Sequence, residues 1–360
     1  MADSQGNTIT IGGRIVGEAE PVFIIAEAGV NHNGDIELAK RLVDIAKESG
    51  ADAVKFQTFK TENIIIPSAP KSTYHIETTG AEQSWFELLK TQELDKKAHR
   101  ILFEYCKKRE IVFLSTPYDE ESADLLEELP VSAFKVASTD ANNIPFLRYL
   151  ARKRLPIILS TGMCTLGEVR ESVEAIKSEG CQDLMLLHCT ADYPAKLEDA
   201  NLRAMLTLKN EFNLLVGYSD HIPDCINPIA ATALGARVYE KHFTLDKSLP
   251  GPDHRASLNP KELKELVDSI RKTEAALGSS VKKCTSAEQE NRIKLRKSIL
   301  TKVDIPKDTP IDSSMIEIKR PGFGLEPKYY HSLIGKKVRN SLSSHAPITY
   351  NDIIWEDLDE

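Results

Sequence analysis

Residues 156–190 read PIILSTGMCTLGEVRESVEAIKSEGCQDLMLLHCT. PIILSTG (156–162) and LMLLHCT (184–190) are short apolar runs of strand length. Between them, after TLG, the segment GEVRESVEAIKSEG places Val169, Val173 and Ile176 at helical spacing, and Gly180 stands where a helix should stop. The stretch is predicted to be strand, helix, strand, and the two strands are expected to run parallel.

The same unit recurs along the chain. Further apolar runs are VFIIAEAG (22–29), AVKFQ (53–57), IVFLSTP (111–117), AFKVAS (133–138), NLLVGYSD (213–220) and RVYEKHF (237–243). With the first two runs, that makes eight strands alternating with amphipathic segments such as DIELAKRLVDIAKESG. Eight units between residues 21 and 280 match a closed (β/α)₈ barrel, an α/β fold of the TIM type. The rival is an open doubly wound sheet, weakened because no G-x-G-x-x-G follows the first strand.

Around this core the chain divides into four parts. Residues 1–20 contain TITIGGRIVG, a β-hairpin pattern around Gly12-Gly13. Residues 21–280 are the barrel, 281–296 a polar, partly helical linker, and 297–360 a small β-rich domain. The segment from Thr58 to Thr91 is long for a βα loop, and loops of that length are commonly lids or carry local structure.

The 360 residues carry a net charge of −8 with both signs interspersed. Without a basic stripe, nucleic acid and anionic membranes are not expected partners. No apolar run is long enough to span a bilayer, and MADSQGNTIT lacks the pattern of a signal peptide. The six cysteines, Cys106, Cys164, Cys181, Cys189, Cys225 and Cys284, show no paired spacing, which suits reduced thiols and a cytoplasmic location.

Polar residues gather at the carboxyl ends of the strands, where barrels build active sites. They are Glu27; Lys55 and Gln57; Ser115 and Thr116; Lys135 and Ser138; Ser160 and Thr161; His188 and Thr190; Ser219, Asp220 and His221; Glu240 and His242. Taken singly, a strand lysine is usually a snorkelling side chain and a strand-end serine a turn residue. Taken together they face one mouth. Two inward lysines without partners would be destabilising unless an anion joined them. Lys55 and Lys135, with the hydroxyls of Thr116, Ser138, Ser160 and Ser219, therefore form a candidate cradle for phosphate and carboxylate. His221 and His242 top adjacent strands and could share a divalent metal in an open site, a reading strengthened by nearby Glu240 and Asp220. His32 and His188 read as histidines satisfying backbone groups. Cys189 reads as a packed thiol rather than a nucleophile. Tyr193 and Asp253 lie on loops after strands six and eight, where specificity groups are placed.

FIIAEAGVNHNGD, AVKFQTF, FLSTPYD, FKVAST, ILSTGM, LLHCTADYP, VGYSDH, EKHFTLD and PGPDHRAS resemble the sialic acid synthase (nonulosonate synthase) family over nearly the whole chain. IEIKRPGFGLEP and LIGKKV are similar to that family's SAF domain, which resembles type III antifreeze protein.

The resemblance implies an enzyme that condenses phosphoenolpyruvate with an N-acylated aminohexose to a nine-carbon 2-keto acid. It also implies a swapped homodimer and a divalent cation, Mn2+ or Mg2+. By motif, His221 and His242 would hold the metal, with Glu240 beside it. Lys55, Thr116, Lys135, Ser138, Ser160 and Ser219 would hold phosphoenolpyruvate. Glu27, Gln57, Tyr193 and Asp253 would meet the sugar, and Arg320 would reach the N-acyl group in the other copy. Glu27 or Glu240 would transfer the proton, while Lys55 and Lys135 hold charge in place. ASTDANN departs from a GSGE-like family sequence and puts Asp140 where a Glu is usual, so Asp140 is a further candidate sugar contact. Ala191 stands where one form of the family has Asn. FQTFKTEN and FTLDKSLPGPDHRAS look closer to the legionaminic acid branch. The sugar is thus open between N-acetylmannosamine and 2,4-diacetamido-2,4,6-trideoxymannose. The alternatives are a related barrel 3-deoxy-2-ketoacid synthase using another aldose, and a non-catalytic sugar-binding protein.

Overall fold

A computed structural model describes residues 7–223 and 226–355; Cys225 lies outside the described residues. The chain forms two compact units, Met1–Gly278 and Ser279–Glu360.

The first unit opens with a hairpin, β1 (Thr8–Ile11) and β2 (Arg14–Gly17), paired antiparallel. Gly12 and Gly13 both have positive φ, 57° and 81°, which is what a tight turn of this hand requires. Eight strands follow: β3 (Phe23–Gly29), β4 (Ala53–Thr58), β5 (Val112–Pro117), β6 (Phe134–Val136), β7 (Ile157–Ser160), β8 (Leu184–Cys189), β9 (Leu215–Asp220) and β10 (Val238–His242). They form one parallel sheet in the order β5-β4-β3-β10-β9-β8-β7-β6, with the two end strands β5 and β6 against each other, a nearly closed barrel.

Helices separate the strands, and their ends follow from sequence. Asp35 caps Ile36–Ser49 through the N–H groups of Glu37 and Leu38, and Gly50 ends that helix at φ 85°. Thr165 and Glu168 form a capping box on Leu166–Ser178, where the TLG signal placed a helix start. The long segment after β4 carries three short helices, Thr61–Ile64, Thr73–Thr79 and Trp85–Gln92.

Side chains alternate across each strand, and the two faces have separate cores. Outward residues such as Ile24, Val54, Phe113, Phe134, Ile157, Leu186, Val216 and Tyr239 pack in the core shared with the helices. Inward residues Ile25, Ala53, Leu114, Ala133, Ile158, Leu187 and Val238 fill the lower barrel. Ile9, Ile11 and Val16 of the hairpin join this inner cluster, so the hairpin plugs the amino-terminal end. One inward step further along six of the strands the residue turns polar. Ile25 gives way to Glu27, Ala53 to Lys55, Leu114 to Thr116, Ala133 to Lys135, Ile158 to Ser160, and Val238 to Glu240.

The second unit begins with a 3-10 turn, Ser286–Glu288, that runs into a helix, Gln289–Leu295, both inside the expected linker. Two small antiparallel pairs follow: β11 (Ser298–Thr301) with β12 (Ile316–Lys319), and β13 (Lys337–Val338) with β14 (Ile353–Ile354). Ile299, Ile305, Ile311, Ile316, Leu333, Val338, Ile348 and Ile353 form their core. Among the described residues no helix is long and apolar enough to cross a membrane. Cys106, Cys164, Cys181, Cys189 and Cys284 are free thiols.

Candidate active site

The inward polar residues meet in a cavity of about 210 Å³ at the carboxyl end of the barrel. Its lining includes Glu27, Lys55, Gln57, Thr116, Lys135, Ser138, Ser160, Tyr193, Ser219, His221, Glu240 and His242.

Four buried charges form its floor. Lys55 Nζ lies 2.9 Å from Glu27 Oε2 and 3.9 Å from Glu240 Oε2. Lys135 Nζ lies 3.3 Å from Glu240 Oε1. This corrects the expectation of two unpartnered lysines: carboxylates from β3 and β10 already answer them. Burial alone would neutralise all four groups. For Glu240 the charges of Lys135 and Lys55 overcome burial and hold its carboxyl down at about 2. For Glu27 burial prevails over Lys55, and repulsion from Glu240 adds to it, so its carboxyl rises to about 7. Burial lowers Lys135, whereas the carboxylates of Glu240 and Glu27 outweigh burial and raise Lys55. Near neutrality Glu27 exchanges between its two forms, and in the protonated form the floor carries two cations and one anion, which favours an anionic ligand.

Three of the hydroxyl oxygens that line the cavity accept from fixed donors. Thr116 Oγ1 accepts from Lys55 Nζ at 2.9 Å, Ser160 Oγ accepts from Lys135 Nζ at 2.7 Å, and Ser138 Oγ accepts from the Gly162 N–H at 2.9 Å. Accepting from a fixed donor leaves each O–H proton to point elsewhere. Ser219 instead donates to Glu240 Oε1 at 2.9 Å.

His221 and His242 stand side by side, ring centroids 5.6 Å apart. The Nδ1–H of His221 donates to the Thr190 carbonyl at 2.8 Å, which leaves Nε2 as the acceptor of the Tyr193 hydroxyl at 3.0 Å. His242 Nδ1 is buried and makes no hydrogen bond; Asp253 Oδ2 is 4.0 Å away. Burial depresses both imidazoles, His221 to about 4 and His242 well below the ordinary value, so both are neutral near pH 7. Two neutral imidazoles, one with an orphaned ring nitrogen and the other oriented by a carbonyl, suit an open divalent-metal site. Among the described residues no cluster of three or more His, Cys, Asp or Glu side chains converges on one metal position.

Several sequence-predicted groups lie elsewhere. Ser115 faces the helices, bonded to Thr58 Oγ1 at 2.7 Å. His188 turns its Nε2 to the Ala200 carbonyl at 2.8 Å, as expected of a backbone-satisfying histidine. Thr161 donates to the Leu187 carbonyl and Thr190 to that of Asp199. Asp220 was expected near the metal pair, but it sits behind the wall, 2.8 Å from Lys241 Nζ. The cause is parity: with Ser219 and His221 inward, Asp220 must point outward. Asp140 does not line the cavity and is held by Asn143 Nδ2 at 3.1 Å. Arg320 belongs to the second unit. Tyr118, Thr139 and Met163 line the cavity without having been singled out. Tyr118 was legible, since it lies one inward step beyond Thr116.

A family model described as the NeuB family matches residues 42–282, and one for the SAF domain matches residues 296–354. The N,N'-diacetyllegionaminic acid synthase of Campylobacter jejuni is 48% identical over 316 residues, covering 87% of this chain and 95% of that protein. The protein of the same name from Legionella pneumophila is 45% identical over 341 residues, covering 94% and 96%. The crystal structure of the spore coat polysaccharide biosynthesis protein SpsE from Bacillus subtilis superimposes with a TM-score of 0.66 at 38% identity, covering 98% of this chain and 100% of that one.

Proposed function

From the premise that this chain belongs to the NeuB family, we propose that it condenses phosphoenolpyruvate with an N-acylated aminohexose to a nine-carbon 2-keto acid, releasing phosphate. The observation that carries this reading is the buried floor of Lys55, Lys135, Glu27 and Glu240 in one cavity with the hydroxyls of Thr116, Ser138 and Ser160 and two neutral imidazoles. Two cations against one firmly ionised carboxylate suit a multiply charged anion. Two carboxyls with divided proton affinities suit acid–base work at the next carbon.

Lys55 and Lys135 bind and orient the phosphate and carboxylate of phosphoenolpyruvate, and Thr116, Ser138 and Ser160 donate hydrogen bonds to their oxygens. The C3 carbon of the enol then forms a bond to the aldehyde carbon of the open-chain sugar as the carbonyl π pair moves to the aldehyde oxygen, which takes a proton from Glu27. The cationic C2 that results faces Glu240, whose ionised carboxylate stabilises it. Water adds at C2 and gives one proton to the Glu27 carboxylate; the C–O bond from C2 to the phosphate then breaks as the new hydroxyl becomes the ketone, its proton leaving with the phosphate. Glu27, raised to about 7, can hold or return a proton at neutral pH. His221 and His242 would hold a divalent cation, Mn2+ or Mg2+, which would supply Lewis acidity towards the aldehyde oxygen.

For the sugar we favour 2,4-diacetamido-2,4,6-trideoxymannose, on the strength of the two diacetyllegionaminic acid synthases. The test is phosphate release from phosphoenolpyruvate with a panel of acylated hexosamines, and the product mass. Turnover of N-acetylmannosamine alone would correct the sugar. Turnover of arabinose 5-phosphate alone, or of none, would refute the reaction.

A further inference from the structure

Behind the barrel wall, on the face away from the cavity, lies a second ionic cluster that no step above uses. Asp220 and Lys241 are register partners across β9 and β10, and their side chains are 0% and 1% exposed. Asp220 Oδ2 accepts from Lys241 Nζ at 2.8 Å and from the Tyr239 hydroxyl at 2.7 Å. Its Oδ1 accepts from the Ile222 N–H at 3.0 Å and from Asn227 Nδ2 at 3.3 Å. Lys241 Nζ also donates to the Ile222 carbonyl.

An apolar pair of the same size would stabilise this wall as well or better, because both ions must be desolvated. What the ionic pair adds is direction. Asp220 stands between Ser219 and His221, and Lys241 between Glu240 and His242. Side chains alternate, so clamping the two outward groups sets the roll of both strand ends and with it the aim of the inward groups. Ile222, gripped by its N–H and its carbonyl, extends the clamp beyond His221. The His221 carbonyl accepts from the Ala195 N–H at 3.1 Å, which ties the Tyr193 loop to the same point.

We infer that Asp220 and Lys241 are positioning residues: through the two strand ends they set the separation and ring orientation of His221 and His242, and so the affinity of that pair for a divalent cation. The affinity clause rests on the metal reading proposed above.

The test is calorimetric titration of the intact protein with Mn2+. In Lys241→Met the Asp220 carboxylate keeps the Tyr239, Ile222 and Asn227 donors, so the fold should survive. The expected result is a dissociation constant weakened about tenfold or more, as for other groups that orient metal ligands, with most of the loss recovered in Lys241→Arg. A purely structural role predicts a lower melting temperature with an unchanged constant, and a wild-type constant in folded Lys241→Met overturns the inference. If Lys241→Met does not fold, Tyr239→Phe is read in the same way, with a several-fold weakening expected and an unchanged constant decisive against.

A wild type that binds no Mn2+ would refute the metal reading alone. Positioning is then decided by nitrogen-15 NMR of the imidazoles. His221 should carry its proton on Nδ1 in the wild type and lose that preference in Lys241→Met. Identical imidazole spectra in the two proteins overturn it.

Discussion

Lys135 Nζ and Glu240 Oε1 meet at 3.3 Å, although their strands, β6 and β10, stand four places apart in the ring of eight. The contact spans the barrel's interior, and both side chains are almost wholly withdrawn from solvent. Such a pair is held by the closure of the fold rather than by any local segment.

Glu240→Gln keeps the volume and removes the charge that answers Lys135 and Lys55. Breaking a buried pair from one side is expected to destabilise by about 3–5 kcal/mol. Phosphate release should fall at least ~100-fold. Urea denaturation and a phosphate assay measure the two effects. A variant as stable and active as the wild type would remove Glu240 from the floor's balance.

Stability should respond to pH through Glu27. Its carboxyl is raised in the folded protein to about 7, chiefly by burial. Between the ordinary glutamate value and about 7 the folded state therefore binds more protons than the unfolded chain. Glu27's contribution is full below that window and is lost as pH rises through it. Glu240, held at about 2, behaves oppositely, contributing above the ordinary range and losing its contribution as pH falls towards about 2. Urea denaturation between about pH 5 and about pH 8 should show the stability difference between the wild type and Glu27→Gln fall by on the order of 2–3 kcal/mol as pH rises. The depressed imidazoles of His221 and His242 act with the opposite sign in both proteins and cancel from the difference. Parallel pH curves for the two proteins would contradict the assignment.

Chelation should abolish phosphate release, and Mn2+ or Mg2+ should restore it. His242→Ala should retain the circular dichroism of the wild type yet show no metal-dependent turnover. Full turnover by that variant in the presence of chelator would defeat the two-histidine site.

Thr116→Val removes the hydroxyl that Lys55 Nζ bonds at 2.9 Å while keeping the shape. The loss of one charge-assisted hydrogen bond, roughly 1.5–3 kcal/mol, should raise KM for phosphoenolpyruvate about tenfold or more, with the sugar KM little changed. Steady-state kinetics with each substrate varied in turn gives the answer. Equal effects on both constants would argue for a general distortion.

Gly217 lies on the inner wall where a Cβ would collide with the Val238 carbonyl and the Leu187 side chain. Gly217→Ala should destabilise by about 1–3 kcal/mol through overpacking. Thermal melting is sufficient to detect it, and an unaltered midpoint would mean that β9 and β10 can part there.

The repeat could be read from the chain itself, because strand and helix periodicities are local properties: 156–190 alone contains a strand, a capped helix and a second strand. So were the residue types at the strand ends, and the excess of charge there that no apolar wall would carry. The phase of each strand was harder. Ser115 and Thr116, or Ser219 and Asp220, are neighbours of similar polarity, and only one of each pair can face inward. Glu240, Lys241 and His242 show how the structure resolves this, with the first and third in the cavity and the second bonded to Asp220 behind it.

Composition and periodicity thus determined that strands alternate with helices and that lysine, glutamate and histidine gather where the strands end. Closure of the barrel decided the rest. It brought Lys55 to Glu27 and Lys135 to Glu240, and it sent Asp220 to the opposite face. Pairing across a ring depends on which strands become neighbours and on how each is rolled about its axis. Those are relations between distant segments, which no single stretch of chain encodes.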